Sequence, residues 1–250
     1  MQSLITRTTF SILVVIFGWT ENQAFVAVAS GLRLRSTPNG AILKTLPFGS
    51  VVKFLPQTKT EVTKISEFDG SWILVQADGV QGYVFDGFLL PFAPPQKCEN
   101  LNTFLESDST ARIEYISLAR NVAGDLVETG KRFVKMPNEP PPPEFVYVHH
   151  VQFEHRLGGT VTISGFLEIQ VTEITFNKLR LQEAYLLLAN CLPRVYRADF
   201  PTFSQMRSGR AFCLAKDSLS HSFSLKEKES KPIISTVALL GTIDNCKVIP

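Results

Sequence analysis

"GLRLRSTPNGAILKTLPFGSVV", residues 31–52, is the stretch on which the fold turns. Leu32 and Leu34 alternate with Arg33 and Arg35, the period-2 pattern of a strand with one buried face. Pro38 presets a turn, and Asn39-Gly40 tolerates the positive φ that tight turns need. "AILKTL" reads as a second strand, "PFG" at 47–49 as its closing turn, and "SVVKFL" as a third strand. The polar stretch "PQTKTEVTKISEFDG" then reads as an excursion leading to "SWILVQA", where Trp72, Leu74 and Gln76 share a face. Asp78-Gly79 is a hairpin turn, and "GVQGYVFDGFLL" ends the unit.

Upstream lies an apolar leader. Arg7 is followed by Phe10 to Trp19, apolar apart from Ser11 and Gly18, and then by the polar "TENQA". Charged start, short apolar middle and small-residue end are the order of a secretory signal peptide. A spanning anchor would need about 20 apolar residues, and Thr20 to Gln23 interrupt the run. The leader is therefore expected to be 1–24. Ala27-Val28-Ala29 offers a better small-x-small site, but a cut there would remove "FVAVAS", which has the look of the first strand.

The order from Leu32-Arg33 through Trp72 to Gly82-Tyr83-Val84 resembles the bacterial SH3-like domain. The resemblance covers about residues 25–90 and rests on the opening at Leu32 to Pro38, the turn glycine Gly49, Trp72 and the G-Y-V ending. It implies a small barrel without catalytic apparatus that binds cell-wall peptides or other extended ligands. The aromatics that would form its groove are Phe48, Trp72, Tyr83, Phe85 and Phe88. In so small a barrel most aromatics fill the core, so each has a packing role to weigh against ligand contact. Arg33 and Arg35 can attract an anion, although arginine on a solvated strand face is ordinary.

Residues 91–97, "PFAPPQK", hold three prolines and read as a stiff linker into a second domain at 98–250. All four cysteines fall in this second part. For an exported chain they suggest two disulfides, with Cys98–Cys246 and Cys191–Cys213 the expected pairing of the three possible. "EFVYVHHVQFEH", "GGTVTISGFLEIQVTEI", "NKLRLQEAYLLLANC", "GRAFCLAK" and "ISTVALLGTIDNCKVI" read as strands, with Gly158-Gly159 a turn and Gly165 and Gly241 marking bends. "PPPP" at 140–143 is a loop, and "STARIEYISLARNV" fits a helix capped by Ser109 or Thr110 as well as it fits a strand. Segments such as "GTVTISGFLEI" and "VALLGTID" are loosely similar to small extracytoplasmic OB-like barrels. The fold class expected is all-β: an SH3-like barrel followed by a disulfide-bonded, possibly OB-like β domain.

Chemistry is sparse. There is no G-x-S-x-G elbow, no C-x-x-C and no aspartate-cysteine nucleophile motif opening a helix. In "HHVQFEH", His149 and His155 share one strand face with Val151 and Phe153, while His150 and Glu154 share the other. The strand rise sets those last two about 13 Å apart, too far for one metal without a second strand. No catalytic residue, metal or cofactor is expected. The net charge of +2 with no basic cluster excludes a nucleic-acid partner. The expected function is non-catalytic binding of a peptide, a cell-wall component or an envelope protein, in the periplasm or outside a bacterial cell, with membrane contact only through the uncleaved leader. The alternatives are a cell-envelope hydrolase with an unrecognised active site and a structural or interaction protein.

Overall fold

A computed structural model describes residues 22–56, 61–94, 126–135, 147–155, 158–166, 169–191, 199–216, 219–240 and 247–248. Of the expected segments, the leader to residue 21, residues 95–97 of the linker, Cys98, residues 109–122, the tetraproline, Gly241 and Cys246 lie outside them. What is described is dominated by two eight-stranded sheets, one at either end of the chain. The β-rich class therefore holds.

The first sheet contains β1 (Gln23–Val26), β2 (Leu32–Arg35), β3 (Ile42–Leu46), β4 (Val51–Phe54), β5 (Val62–Ile65), β6 (Phe68–Ala77), β7 (Val80–Phe85) and β8 (Leu89–Leu90). Its order is β3-β2-β7-β6-β4-β1-β8, with β5 paired to β6. Asp78 and Gly79 take positive φ between Ala77 and Val80, as the turn chemistry requires. The polar excursion is not a plain loop: β5 folds back on β6 through Ser66 and Glu67, with Ser66 at φ 56. The first strand begins two residues before the expected cut. Gln23 and Ala24 pair with Lys53 and Val52, and Ala24 is buried.

Alternation gives this sheet two distinct faces. Leu32, Leu34, Val75, Ala77 and Val84 point into a compact inner core with Val26, Leu46 and Val52. Gly82 belongs to that inner side. A Cβ there would meet the Arg35 carbonyl oxygen at 2.6 Å and the Leu34 side chain at 3.0 Å, so the glycine of G-Y-V lets β7 lie close to β2. Arg33, Arg35, Trp72, Tyr83 and Phe85, set off by one residue, leave from the opposite face.

The second sheet is built from β9 (Leu126–Lys135), β10 (Tyr147–His155), β11 (Gly159–Phe166), β12 (Ile169–Thr175), β13 (Phe212–Lys216), β14 (Leu219–Lys228), β15 (Lys231–Leu240) and β16 (Lys247–Val248). Neighbours are antiparallel except β13 and β16, in the order β16-β13-β14-β15-β12-β11-β10-β9. Gly158 turns β10 into β11 at φ 75, whereas Gly165 pairs with Gln170 in unbroken register and marks no bulge.

Among the described residues two helices interrupt these strands, and the first overturns a sequence expectation. "NKLRLQEAYLLLANC" is not a strand: Leu181–Cys191 is a helix, α1. Residues 181–190 contain no β-branched residue, and Leu, Gln, Glu and Ala are strong helix formers. The Glu183 carboxylate accepts the Arg180 backbone N–H at 2.8 Å, which satisfies a donor at the helix start. Ala184, Leu187 and Leu188 then share a buried face. Helix α2 (Phe203–Arg207) opens on a capping box in which Thr202 and Gln205 exchange hydrogen bonds, and it buries Phe203 and Met206.

The helices join the two sheets. One continuous core runs from Phe68, Trp72, Phe85 and Leu90 of the first through Leu187, Leu188 and Phe203 to Ile174 and Phe223 of the second. Phe68 stacks on Phe203 with centroids 5.4 Å apart and meets Phe88 edge-on at 5.2 Å. Polar groups close the seam. Asn190 Nδ2 donates to the Ala27 carbonyl at 2.6 Å, Gln182 Nε2 to the Asp69 carbonyl at 2.8 Å, and Ser204 N–H to the Glu67 carboxylate.

Candidate functional site

The outward face of the first sheet is only partly covered by the helices. Beyond their reach a cleft of about 370 Å3 remains, floored by Trp72, Phe85 and Phe88 and flanked by Arg33 and Arg35. Strand pairing explains the gathering. Trp72 lies opposite Phe85 across β6 and β7, and Arg35 lies opposite Tyr83 across β2 and β7. Phe85 meets Trp72 edge-on at 6.1 Å and Phe88 at 5.3 Å. The 3-10 turn at Asp86–Phe88 brings Phe88 under the cleft, and the Asp86 carboxylate pins that turn by accepting the Ser71 backbone N–H at 2.7 Å. The Arg35 guanidinium lies 6.0 Å from the Trp72 ring centroid and donates to the Gly40 carbonyl at 2.6 Å. A cation over an aromatic face is attracted by the ring quadrupole, so Arg35 is held as one wall of the cleft.

Of the five aromatics expected to form a groove, the structure brings three together here. Tyr83 is half-buried and packs against the shared core without lining the cleft. Phe48 sits in the turn between β3 and β4, away from it. Val28, Ser30, Gly31, Leu32, Ile65 and Ser66 also line it, and sequence reasoning did not pick them out as site residues. Ile65 and Ser66 arrive through β5, inside the stretch read as an excursion. Trp72 is 7% exposed, yet the inner core of the first sheet lies on the other side of the sheet. Its packing partners are the outer aromatics.

Among the described residues the remaining sequence candidates form no second site. Side chains of His149 and His150 lie outside the described residues. His155 is buried edge-on against Phe176, with Nε2 2.7 Å from the Thr175 carbonyl and no hydrogen-bond partner at Nδ1. Burial pushes its pKa below the usual histidine range, and the Thr175 hydrogen bond opposes this more weakly. Tyr185, whose hydroxyl donates to the Pro201 carbonyl at 3.0 Å, has its pKa pushed up to about 12 by burial and, second, by the Glu67 carboxylate. Among the described residues no group of His, Cys, Asp and Glu is placed to hold a metal ion, and no helix is long and apolar enough to cross a membrane. Among them also no cysteine is free, and Cys213 is disulfide-bonded. Comparison of the chain with protein-family models, with characterised proteins and with solved structures finds no match.

Proposed function

We propose that this chain is an exported, non-catalytic binding protein whose SH3-like first unit takes a peptide or cell-wall component in the cleft over Trp72. The observation that carries this reading is the cleft itself: an aromatic floor, two guanidiniums and two hydroxyl-bearing serines at an open mouth. Pockets of this size with an apolar floor and a few convergent polar groups are the usual form of a ligand site. The leader at 1–24 and the cysteines, kept clear of the first unit, support export into an oxidising compartment. In the second unit, read as OB-like, Cys191–Cys213 and Cys98–Cys246 are the proposed bridges.

Co-sedimentation of the secreted chain with purified bacterial cell wall, with release of soluble muropeptides measured in parallel, tests the proposal. Binding without release, reduced in Ser30→Phe, which fills the cleft mouth, is the expected result. Release of muropeptides would establish a hydrolase instead. A structural reading draws on a different observation, the docking of Phe68 and Phe88 against the helices. Wall binding that ignores Ser30→Phe would favour that reading.

A further inference from the structure

The cleft over Trp72 is charged with one sign. Among the described residues, Arg33 and Arg35 are its only ionisable lining groups, and none of the lining residues is a carboxylate. Both arginines leave β2 on the same face, two residues and about 6.8 Å apart along the strand. Arg35 spends one N–H on the neutral Gly40 carbonyl, which leaves its charge uncompensated. Arg33 is exposed, and among the described residues its guanidinium forms no ion pair or hydrogen bond. The carboxylates next to the lining in sequence are turned elsewhere, Asp86 to the Ser71 N–H and Glu67 to the Ser204 N–H. Among the described residues, two like charges are thus held beside an apolar floor without a counter-charge, and an anion supplied by a ligand would relieve them.

Resting on the reading of this cleft as the binding site, we propose that its ligand is a short peptide ending in a free carboxylate. The carboxylate lies between Arg33 and Arg35, where the planar guanidinium fork matches its two oxygens. The apolar side chain that precedes it rests on Trp72 and Phe88. A volume of about 370 Å3 is at the small end for a ligand pocket and suits the last residues of a chain rather than a long extended segment.

Calorimetric titration of the full chain with N-acetyl-Leu-Ala, with its C-terminal amide and with phenyl phosphate decides the matter. The acid should bind at least about tenfold more tightly than the amide, the factor expected when one charge-assisted pair is lost. That preference should shrink with added salt, as exposed guanidiniums are screened. Arg33→Gln, an exposed rim substitution, should bring acid and amide close to equality, and Arg33→Lys should retain part of the preference. Equal binding of acid and amide to the unaltered protein overturns the carboxylate, and so does failure of every probe at millimolar concentration. Phenyl phosphate binding in place of the peptide acid overturns the peptide. Wall binding that is blocked by Ser30→Phe yet indifferent to Arg33→Gln would sink this inference and leave the binding cleft standing. Wall binding indifferent to both would sink the cleft as well.

Discussion

Replacing Phe68 by alanine should weaken both halves of the molecule at once. Phe68 is 8% exposed and stands at the tip of the β5–β6 hairpin, where its ring stacks on Phe203, meets Phe88 edge-on and lies 5.9 Å from Tyr185. Two of those partners belong to the helices that sit on the second sheet. A buried phenylalanine removes about 150–250 Å2 from water, which at about 25 cal/mol per Å2 is worth about 4–6 kcal/mol. Part of that area stays covered by the alanine, and part of the cavity closes, so a loss of about 3–5 kcal/mol is expected. Against a total stability of about 5–15 kcal/mol this is a large fraction. Urea unfolding of the full chain should show one transition moved down by that amount. Amide hydrogen exchange should show protection lost at Leu187 and Leu188 in α1 as well as at Val75 and Val84 in the first sheet. The shared core would be refuted by loss of protection confined to residues 23–90, or by a loss within about 0.5 kcal/mol, the typical size of a surface effect.

Protonating His155 places a charge in a buried site, and its pKa is depressed in the folded protein. The unfolded chain therefore takes up the proton first, and stability should be full above about pH 6.5 and fall as the pH drops below it. His155→Gln should flatten that dependence in denaturation curves taken from pH 7 to pH 5. Gly82→Ala should cost about 1–3 kcal/mol or more in thermal unfolding, because the new methyl meets the Arg35 backbone carbonyl, which cannot move aside. The β14–β15 hairpin closes through Glu229 and Ser230 at φ 53 and 62, between the paired Lys228 and Lys231. Both residues are in the left-handed region, so the double change Glu229→Asn and Ser230→Gly should raise stability by about 1 kcal/mol, read as an upward shift in melting temperature.

Much of the first sheet was legible because its determinants are local. The alternation of Leu32 and Leu34 with the arginines and the Asp78-Gly79 turn each act within a few residues of themselves. Sheet pairing acts at longer range, and there the sequence said less. The meeting of Arg35 with Trp72 depends on the register of β2, β7 and β6, which no single stretch encodes. Helix α1 was missed because three consecutive leucines in an apolar run invite a strand. The signal against it was the lack of β-branched residues from 181 to 190 and the Glu183 cap. Thr202 and Gln205 likewise spell a capping box that the surrounding aromatics obscured. Of the five aromatics grouped from sequence, Trp72, Phe85 and Phe88 meet at the cleft and Phe48 and Tyr83 do not line it, and the share of the outward face taken by α1 and α2 follows from tertiary packing alone.

Trp72 is one of two tryptophans in the chain, and the other, Trp19, lies in the proposed leader. In a Trp19→Phe protein, or in one from which the leader has been removed, indole fluorescence therefore comes from the floor of the cleft alone. Titration of such a protein with solubilised cell-wall fragments is the most direct measurement of where the ligand sits. A saturable change in Trp72 emission, abolished by Ser30→Phe, is the predicted result; binding of the same fragments with Trp72 emission unchanged would contradict it.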